Sequence, residues 1–325
     1  MNKRLILRTD ANTKIGRGHL SRCLAIASML KKDIDILFVF FYENKKYISE
    51  SLVDFECKYI NNDDDLYQLI NHYDLFWIDG YDFTENWKSK IQQQVYKLIE
   101  TNDIPYHSKY VDVLFNHTPG INRLQFFSKN TECYLGLKYA LLRSKFLVNT
   151  ININPQLSGN GVFICFGGAD PFNLGHKIVS KLITNNFSDP IYWVTNNTEY
   201  EACNDDDNIN YLSNLTEDEM IGYMTEAKVL LIPSSVLSIE AIALRKPVYT
   251  CYFVNNQKFI YNGLISSNLV SGSGYIDTDN DIENTVVGFL KYYSDVDLHK
   301  QHIDNQTQIL DRKSTSRIIK IIKNM

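Results

Sequence analysis

The sequence predicts an α/β protein with two doubly wound parallel sheets. Short apolar strands alternate with amphipathic helices, the alternation stops near the middle of the chain and then restarts, and glycine-rich or polar turns follow several strands. The chain has 325 residues, more than one such layer usually needs. Two domains of about 150 residues each are therefore expected.

The first half reads as a strand, a helix and further strands. A strand over Lys3 to Thr9 precedes a helix in which apolar side chains recur at helical spacing from Leu20 to Leu30. Further strands are predicted over Ile34 to Tyr42, Leu75 to Asp79 and Val111 to Asn116. Right-handed crossovers would place the carboxyl ends of these strands at one edge of the sheet.

Residues 144–160 lose the periodicity and form the predicted linker, which separates an N-terminal domain, 1–150, from a C-terminal domain, 151–325. The strand and helix pattern then restarts. The predicted elements are strands over 161–166, 191–195, 229–232 and 247–253, a helix over 174–183, and a long helical run over 296–323.

Composition narrows the class of protein. The hydrophobic fraction of 44% and charged fraction of 22% are typical of a globular chain, and the net charge of −5 gives no electrostatic reason to expect a nucleic-acid partner. No apolar run approaches the length of a membrane span, and the first residues lead straight into a strand without a signal peptide. A cytoplasmic protein without membrane insertion is expected, and its oligomeric state is not indicated.

Neither a metal nor another cofactor is indicated. The six cysteines are scattered without a C-x-x-C pair, which is typical of buried, reduced thiols. The acidic tracts 62–65 and 204–207 lack the ligand spacing of a calcium loop, so solvated loops or helix N-termini are expected there.

The turn after the first strand carries the strongest chemical signal. Gly16 and Gly18 let a ligand approach the main chain, and the helix that follows presents unpaired N–H groups and a positive dipole end. These features suit a phosphate or a developing oxyanion. His19, in the first helical turn, would be a neutral imidazole able to orient or deprotonate water. The alternative is a tight turn in which His19 merely caps the helix.

The surrounding run resembles the opening of the bacterial PseG/SpsG-like family of UDP-sugar hydrolases. The positions that match the family pattern are Arg8, Asp10, Ile15, Gly16, Gly18, His19, Arg22, Cys23 and Leu24. The resemblance implies that His19 is the catalytic residue, and Asp10 or Asp79 is expected to tune it. Gly16, Gly18 and Arg22 are expected to contact the substrate.

The second half carries two signals of nucleotide binding. Gly167, Gly168 and Asp170 follow a strand and precede a helix whose amides suit a diphosphate, as in a nearly identical segment of the hydrolase family. A simple Gly-Gly turn is the alternative. Ser234 and Ser235 start a helix that contains Glu240 in a pattern resembling the nucleotide-sugar signature of GT-B enzymes.

In those enzymes the glutamate position commonly meets ribose, and Ser235 can cap its helix and turn the free amides toward a phosphate. The alternative makes Ser234 and Ser235 a cap and Glu240 a solvated helix residue. Asn256 and Gln257 match an Asn-Gln pair of the hydrolase family at the end of a strand, where open sheets bind ligands.

Further matches bring the resemblance to most of residues 5 to 270. Tyr81 and Asn116 lie in two of these segments and are expected to contact substrate. The chain departs from the family near Asn102 and Asp103, where paired acids are common, and at Ser144, where proline is usual. These departures bear on the identity of the sugar more than on the fold.

The resemblance implies a GT-B-like fold, in which two Rossmann-like domains face an interdomain cleft and the C-terminal helix crosses back to the first domain. It also implies a metal-independent hydrolase that cleaves the anomeric C–O bond of a UDP-activated 2,4-diacetamido-2,4,6-trideoxyhexose with inversion, on a route to a nonulosonic acid such as pseudaminic acid. The alternatives are a GT-B glycosyltransferase of surface polysaccharide synthesis and a catalytically silent nucleotide-sugar binding protein.

Overall fold

The computed structural model describes residues 3–11, 18–48, 52, 54–105, 108–122, 130–148, 159–167, 170, 172–197 and 207–325. Two compact units divide the chain. The first comprises Met1–Ser144 and Lys313–Met325, and the second comprises Lys145–Arg312.

The described part of the first unit contains a seven-stranded parallel sheet in the order β3-β2-β1-β4-β5-β6-β7. The strands are β1 Arg4–Thr9, β2 Asp35–Phe41, β3 Glu56–Ile60, β4 Leu75–Asp79, β5 Lys97–Thr101, β6 Val113–Asn116 and β7 Glu132–Leu135. The strand order reverses between β1 and β4, which makes their carboxyl ends the topological switch point where open α/β sheets bind ligands.

Helices cover both faces of this sheet. They are α1 Gly18–Leu30, α2 Lys45–Ile48, α3 Asp63–Leu69 and α4 Glu85–Gln92, and a further short helix, α5, covers Ser144–Val148 at the boundary of the units. On one face, Leu66 of α3 and Ile91 of α4 join the buried cluster that includes Phe76 and Ile78 of β4. On the other face, α1 packs against β1 and β4. This packing places the start of α1 beside the switch point.

The second unit repeats the strand order. Its described residues form six parallel strands, β8 Val162–Cys165, β9 Ile191–Val194, β10 Ile209–Leu212, β11 Val229–Pro233, β12 Val248–Tyr252 and β13 Ser271–Tyr275, in the order β10-β9-β8-β11-β12-β13. Its helices are α6 Leu174–Thr184, α7 Glu217–Glu226, α8 Val236–Ala243, α9 Gln257–Ser266, α10 Asp279–Ser294 and α11 Val296–Ile309. Here the order reverses between β8 and β11.

The last helix, α12 Ser314–Lys323, belongs to the first unit. Ile318 and Ile322 are buried, the Lys323 ammonium lies 2.6 Å from a carboxylate oxygen of Asp33, and Arg317 donates to the Lys138 carbonyl at 3.1 Å. The single helical run predicted over 296–323 is therefore wrong in one respect. It is broken before α12, where Arg312 has a φ of +59° that a continuous helix does not allow.

Two further expectations need correction. The predicted linker begins with helix α5, in which Phe146 and Leu147 are buried, and residues 149–158 lie outside the described residues. Among the described cysteines, Cys57 and Cys133 are only half-buried, because they lie on β3 and β7 at the two edges of the first sheet. The acidic tract at 62–65 starts α3, with Asn62 as its N-cap, as one of the two expectations stated.

Among the described residues, none of the helices combines the length and apolarity that crossing a bilayer requires.

Candidate active site

The imidazole of His19 lies at the switch point of the first sheet. His19 is the second residue of α1, and Asp79 is the last residue of β4, paired in register with Thr9 of β1. The His19 side chain is 7% exposed and the Asp79 side chain is fully buried. A helix start and a strand end thus bring together two residues that are 60 positions apart in the chain.

The Asp79 carboxylate fixes the tautomer of His19. Its Oδ1 atom lies 2.6 Å from Nδ1 of the ring, so a proton must lie between the two atoms. Nδ1 is then the donor, and Nε2 carries the free lone pair. This arrangement of an imidazole held by a carboxylate leaves Nε2 as a proton acceptor, as general-base catalysis requires.

Arg22, one turn further along α1, holds the same carboxylate in a fork. Its Nε donates to Asp79 Oδ2 at 2.7 Å and its Nη2 donates to Asp79 Oδ1 at 2.5 Å. Nη2 also lies 2.7 Å from Nδ1 of His19. The guanidinium has no acceptor and Nδ1 already donates to Asp79, so this last approach is a contact between two donors around one carboxylate.

The third guanidinium nitrogen, Nη1, donates to Oδ2 of Asp103, just after β5. Burial alone would lower the pKa of Arg22, but Asp103 and Asp79 outweigh it and raise that pKa above its usual value. Burial would raise the pKa of Asp103, but Arg22 and His117 hold it well below the usual range. Both groups are therefore charged at neutral pH.

Asp103 is the functional candidate that the sequence analysis missed. It lies 5% exposed at the carboxyl end of a strand next to β4, where ligand-binding side chains of such sheets gather. The available signal was the pair of acids that the resembled family commonly has near this position, of which this chain has one, Asp103.

Tyr81 borders the site and is 44% exposed. Its ring meets the imidazole of His19 edge to face, with centroids 4.7 Å apart, and its hydroxyl donates to Asp103 Oδ2 at 3.3 Å. Tyr81 therefore contacts the buried side chains of His19 and Asp103 and is itself partly exposed to solvent.

Asp10 directly follows β1, and its described partners are residues other than His19. Its carboxylate lies 2.7 Å from Nη1 of Arg8, and it accepts from Asn44 Nδ2 at 2.6 Å and from the Phe41 amide at 3.4 Å. Burial raises the pKa of Asp10 despite the Arg8 charge. Of the two acids expected to tune His19, Asp79 is the one in hydrogen-bond contact with the ring.

Asn116 ends β6 and is fully buried, with Oδ1 accepting from the Thr118 amide at 2.9 Å. Its Nδ2 atom has no hydrogen-bond partner among the described residues.

The glycines of the N-terminal turn differ in what can be said of them. Gly16 lies outside the described residues. At Gly18, a Cβ atom would meet no described atom within 4 Å, and φ is not positive. Among the described residues, glycine at this position leaves space beside the backbone, and its φ requires no strained conformation.

In the second unit, Gly167 follows β8 with a φ of +87°, a conformation that favours glycine, while Gly168 lies outside the described residues. Asp170 caps α6: its Oδ1 and Oδ2 accept from the amides of Leu174 and Gly175 at 2.9 and 2.7 Å. Burial raises the pKa of Asp170, against these two hydrogen bonds. Two of the helix N–H groups expected to face a phosphate are thus taken by a side chain.

The turn after β11 forms the predicted helix cap. Ser235 is the N-cap of α8 and its hydroxyl accepts from the Leu237 amide at 3.3 Å. Ser234 is fully buried and its hydroxyl lies 2.9 Å from that of Thr250, which itself donates to the Ile232 carbonyl. Ser234 therefore donates to Thr250 and ties β11 to β12.

Glu240 lies in the second turn of α8 and is 3% exposed, so the alternative of a solvated helix residue is wrong. Burial of a carboxylate is costly unless another group interacts with it. Glu240 has such an interaction partner within the protein. Asn256 is the N-cap residue of α9, and Gln257, its first residue, accepts through Oε1 from the Phe253 amide at 3.1 Å. Both lie just after β12.

In the described ranges, no three or more His, Cys, Asp and Glu side chains are grouped as a metal site would require.

No known protein-family profile matches the chain. The uncharacterized protein MJ1062 of Methanocaldococcus jannaschii is 26% identical over 275 residues, which cover 78% of this chain and 56% of the relative. The chain thus spans about half the length of the curated relative it matches.

Solved structures match the chain over nearly its whole length. MurG of Acinetobacter baumannii has a TM-score of 0.63 at 10% identity, with 100% of both chains covered. The spinosyn rhamnosyltransferase SpnG has a TM-score of 0.68 at 10% identity, over 98% of this chain and 100% of that one. UGT89C1 of Arabidopsis thaliana, complexed with UDP-L-rhamnose, has a TM-score of 0.68 at 8% identity, over 99% and 98%. At these identities the likeness shows the fold, which is GT-B.

Proposed function

We propose that this chain is a UDP-sugar hydrolase that uses His19 as its general base. The observation that carries the proposal is the Asp79 contact with Nδ1, which leaves Nε2 of a nearly buried ring ready to accept a proton. GT-B structures similar to this chain include one with UDP-L-rhamnose and one with UDP-2fluoro-glucose. The likeness supports a UDP-sugar as the substrate.

In this reaction, a water oxygen attacks the anomeric carbon while the bond from that carbon to the β-phosphate oxygen of UDP breaks. The water proton goes to Nε2 of His19, and the electron pair of the broken bond leaves with UDP. UDP is a good leaving group, so catalysis depends mainly on aligning water and stabilising the diphosphate charge. Attack opposite the leaving group inverts the configuration.

We assign the other roles as part of the same proposal. Asp79 orients the ring, Asp10 is a second acid directly after β1, and contact with the sugar is assigned to Gly18, Arg22, Tyr81 and Asn116. Recognition of UDP is assigned to Gly167, Asp170, Ser234, Ser235, Glu240, Asn256 and Gln257, at the carboxyl ends of β8, β11 and β12. Gly16 and Gly168, which lie outside the described residues, are assigned to substrate contact from the sequence alone.

The resemblance of the N-terminal run to PseG/SpsG-like hydrolases supports a narrower substrate, a UDP-diacetamido-trideoxyhexose on a pseudaminic-type route. A small panel of UDP-deoxyaminosugars, with mass spectrometry of the products and NMR of the fresh anomer, tests this assignment. We expect one member to yield UDP and an inverted free sugar. Release of a free sugar with its anomeric configuration retained would contradict the single-displacement mechanism.

The second candidate is a GT-B glycosyltransferase, favoured by the glycosyltransferase structures that this chain resembles. The purified protein incubated with a UDP-sugar and no acceptor distinguishes the two. Rapid release of UDP and free sugar supports the hydrolase, whereas release only after an acceptor is added supports the transferase.

A further inference from the structure

A single arginine in the first unit lies between two carboxylates, each of which faces a histidine. Asp79 contacts His19, and Oδ1 of Asp103 lies 3.4 Å from Nε2 of His117. We propose that Asp103 is a positioning residue that acts on His19 through Arg22. It fixes the Arg22 guanidinium that binds the Asp79 carboxylate, and it supplies the negative charge that favours a proton on the His19 ring. The proposal rests on the role of His19 as base.

The positioning step follows from the geometry of the guanidinium. Nε and Nη2 of Arg22 donate to Asp79, so these two bonds set one edge of the planar group, while Nη1 is bound by Asp103. A planar guanidinium that is bound through all three nitrogens cannot rotate about its bond to the alkyl chain. Removal of the third anchor would allow Arg22 to turn, and Asp79 would no longer be held at one distance from Nδ1.

The net charge of this cluster depends on whether His117 is protonated. The Leu141 amide donates to Nδ1 of His117 at 3.3 Å, so Nδ1 is an acceptor and the proton of a neutral ring lies on Nε2, toward Asp103. His117 therefore adds no charge. Arg22 contributes one positive charge, and Asp79 and Asp103 contribute two negative charges, so the cluster is one unit negative before His19 reacts.

A proton on His19 makes this buried cluster neutral, which favours the imidazolium. Without the Asp103 charge, Asp79 would be fully balanced by Arg22. A proton on the ring would then add an unbalanced positive charge with Nη2 of Arg22 only 2.7 Å from Nδ1.

Among the residues that the structure describes, the other groups near His19 do not alter this sum. Tyr81 packs its ring edge to face on the imidazole, and its hydroxyl donates to Asp103 Oδ2 at 3.3 Å. On the same helix, burial raises the pKa of the Cys23 thiol, next to Asp79, well above its usual value. At the end of β1, Arg8 and Asp10 form a pair at 2.7 Å whose charges cancel.

The test is a titration of the His19 ring by NMR, in the full-length protein without substrate, on wild type and the variant Asp103→Asn. The ring signal is assigned by its loss in His19→Asn. We expect the midpoint of the ring titration to move to lower pH in Asp103→Asn. The matched control is Asp74→Asn, a buried carboxylate paired with Arg4 at 2.9 Å in the same unit, which leaves the midpoint unchanged. An unshifted midpoint in Asp103→Asn would overturn the proposal.

Asparagine has nearly the shape of aspartate, and the Thr118 hydroxyl holds the backbone carbonyl of residue 103 at 3.1 Å in either case. A second variant, Asp103→Glu, keeps the charge and is expected to retain the wild-type midpoint. If Asp103→Glu shifts the midpoint downward, the charge argument fails even where Asp103→Asn does not fold.

Kinetics separate this inference from the proposed function. With a UDP-sugar that is hydrolysed, Asp103→Asn should lower kcat by about tenfold, with KM changed less than about twofold. The acidic limb of its pH–rate profile should move to lower pH. A shifted ring titration in a protein that hydrolyses no UDP-sugar would reject the function alone, whereas hydrolysis with an unshifted ring would reject the inference alone.

Discussion

Oδ1 of Asp79 lies 2.6 Å from Nδ1 of His19, across the switch point where the strand order of the first sheet reverses. This contact fixes which ring nitrogen carries the proton. The account of the site depends on it, because a ring of the other tautomer has no lone pair on Nε2 to accept a proton from water.

Asp79→Asn is expected to lower kcat by about 10²- to 10⁴-fold, because an amide can donate to Nδ1 and select the wrong tautomer. KM should change little, since the ring and its neighbours keep their shape. Steady-state kinetics on the responsive UDP-sugar measure both constants.

The control for this variant is Asp74→Asn. Asp74 is a buried carboxylate of the same unit. It is paired with Arg4 at 2.9 Å, and its described contacts do not include His19. Its variant should lose stability and keep kcat. An equal loss of kcat in both variants would show that Asp79 matters for folding and not for the ring.

The strand alternation of both units could be predicted from the sequence because β1, β4, β8, β11 and β12 are apolar and almost entirely buried. Strands β3, β5, β7, β10 and β13 were missed. All but β5 lie at sheet edges, where one side is open and the apolar run is diluted by residues such as Glu56 and Glu132. Strand β5 lies inside the sheet, but its short sequence also contains the polar residues Lys97, Glu100 and Thr101.

The candidate site was predictable where a residue carries a motif and not where it acts through a partner. His19 and Asp79 were both named as candidates, but sequence spacing cannot show that the acid meeting the ring is Asp79, 60 positions away, while Asp10 binds Arg8. Asp103 lies where the resembled hydrolase family commonly has paired acids, but that pattern does not indicate which side chain it contacts. Its place in the cluster arises only from the pairing of β4 with β5.

Arg22→Lys should destabilise the protein. Lysine keeps the positive charge but cannot bind Asp79 through two nitrogens and Asp103 through a third. Partial loss of a buried pair predicts that the free energy of unfolding falls by about 3 kcal/mol. Urea denaturation near neutral pH measures the change, and a loss below about 1 kcal/mol would contradict the fork as a stabilising element.

The depressed pKa of Asp103 predicts how stability depends on pH. Because its pKa is lower in the folded protein than the ordinary value of 3.8, the carboxylate stabilises the fold above that value. The contribution is lost as pH falls below it. The difference in unfolding free energy between wild type and Asp103→Asn should therefore be largest near neutral pH and shrink at about pH 3. A difference that stays constant between the two conditions would contradict the charged state assigned to Asp103.

Gly18→Ala tests whether a ligand approaches the N-terminal turn. A Cβ at this position meets no described atom within 4 Å and φ is not positive, so the melting temperature should not fall. If the sugar packs against this backbone, kcat/KM should fall by about tenfold. Unchanged kcat/KM would remove Gly18 from the proposed substrate contacts.

The role of His19 as the base of UDP-sugar hydrolysis is tested by His19→Asn, with UDP release measured without an acceptor and UDP affinity measured by calorimetry. We expect turnover to fall by about 10³-fold while UDP affinity is unchanged. The control His72→Asn, which alters an exposed histidine of the same unit, should match wild type in both measurements. Equal turnover in His19→Asn and wild type would show that His19 is not the base.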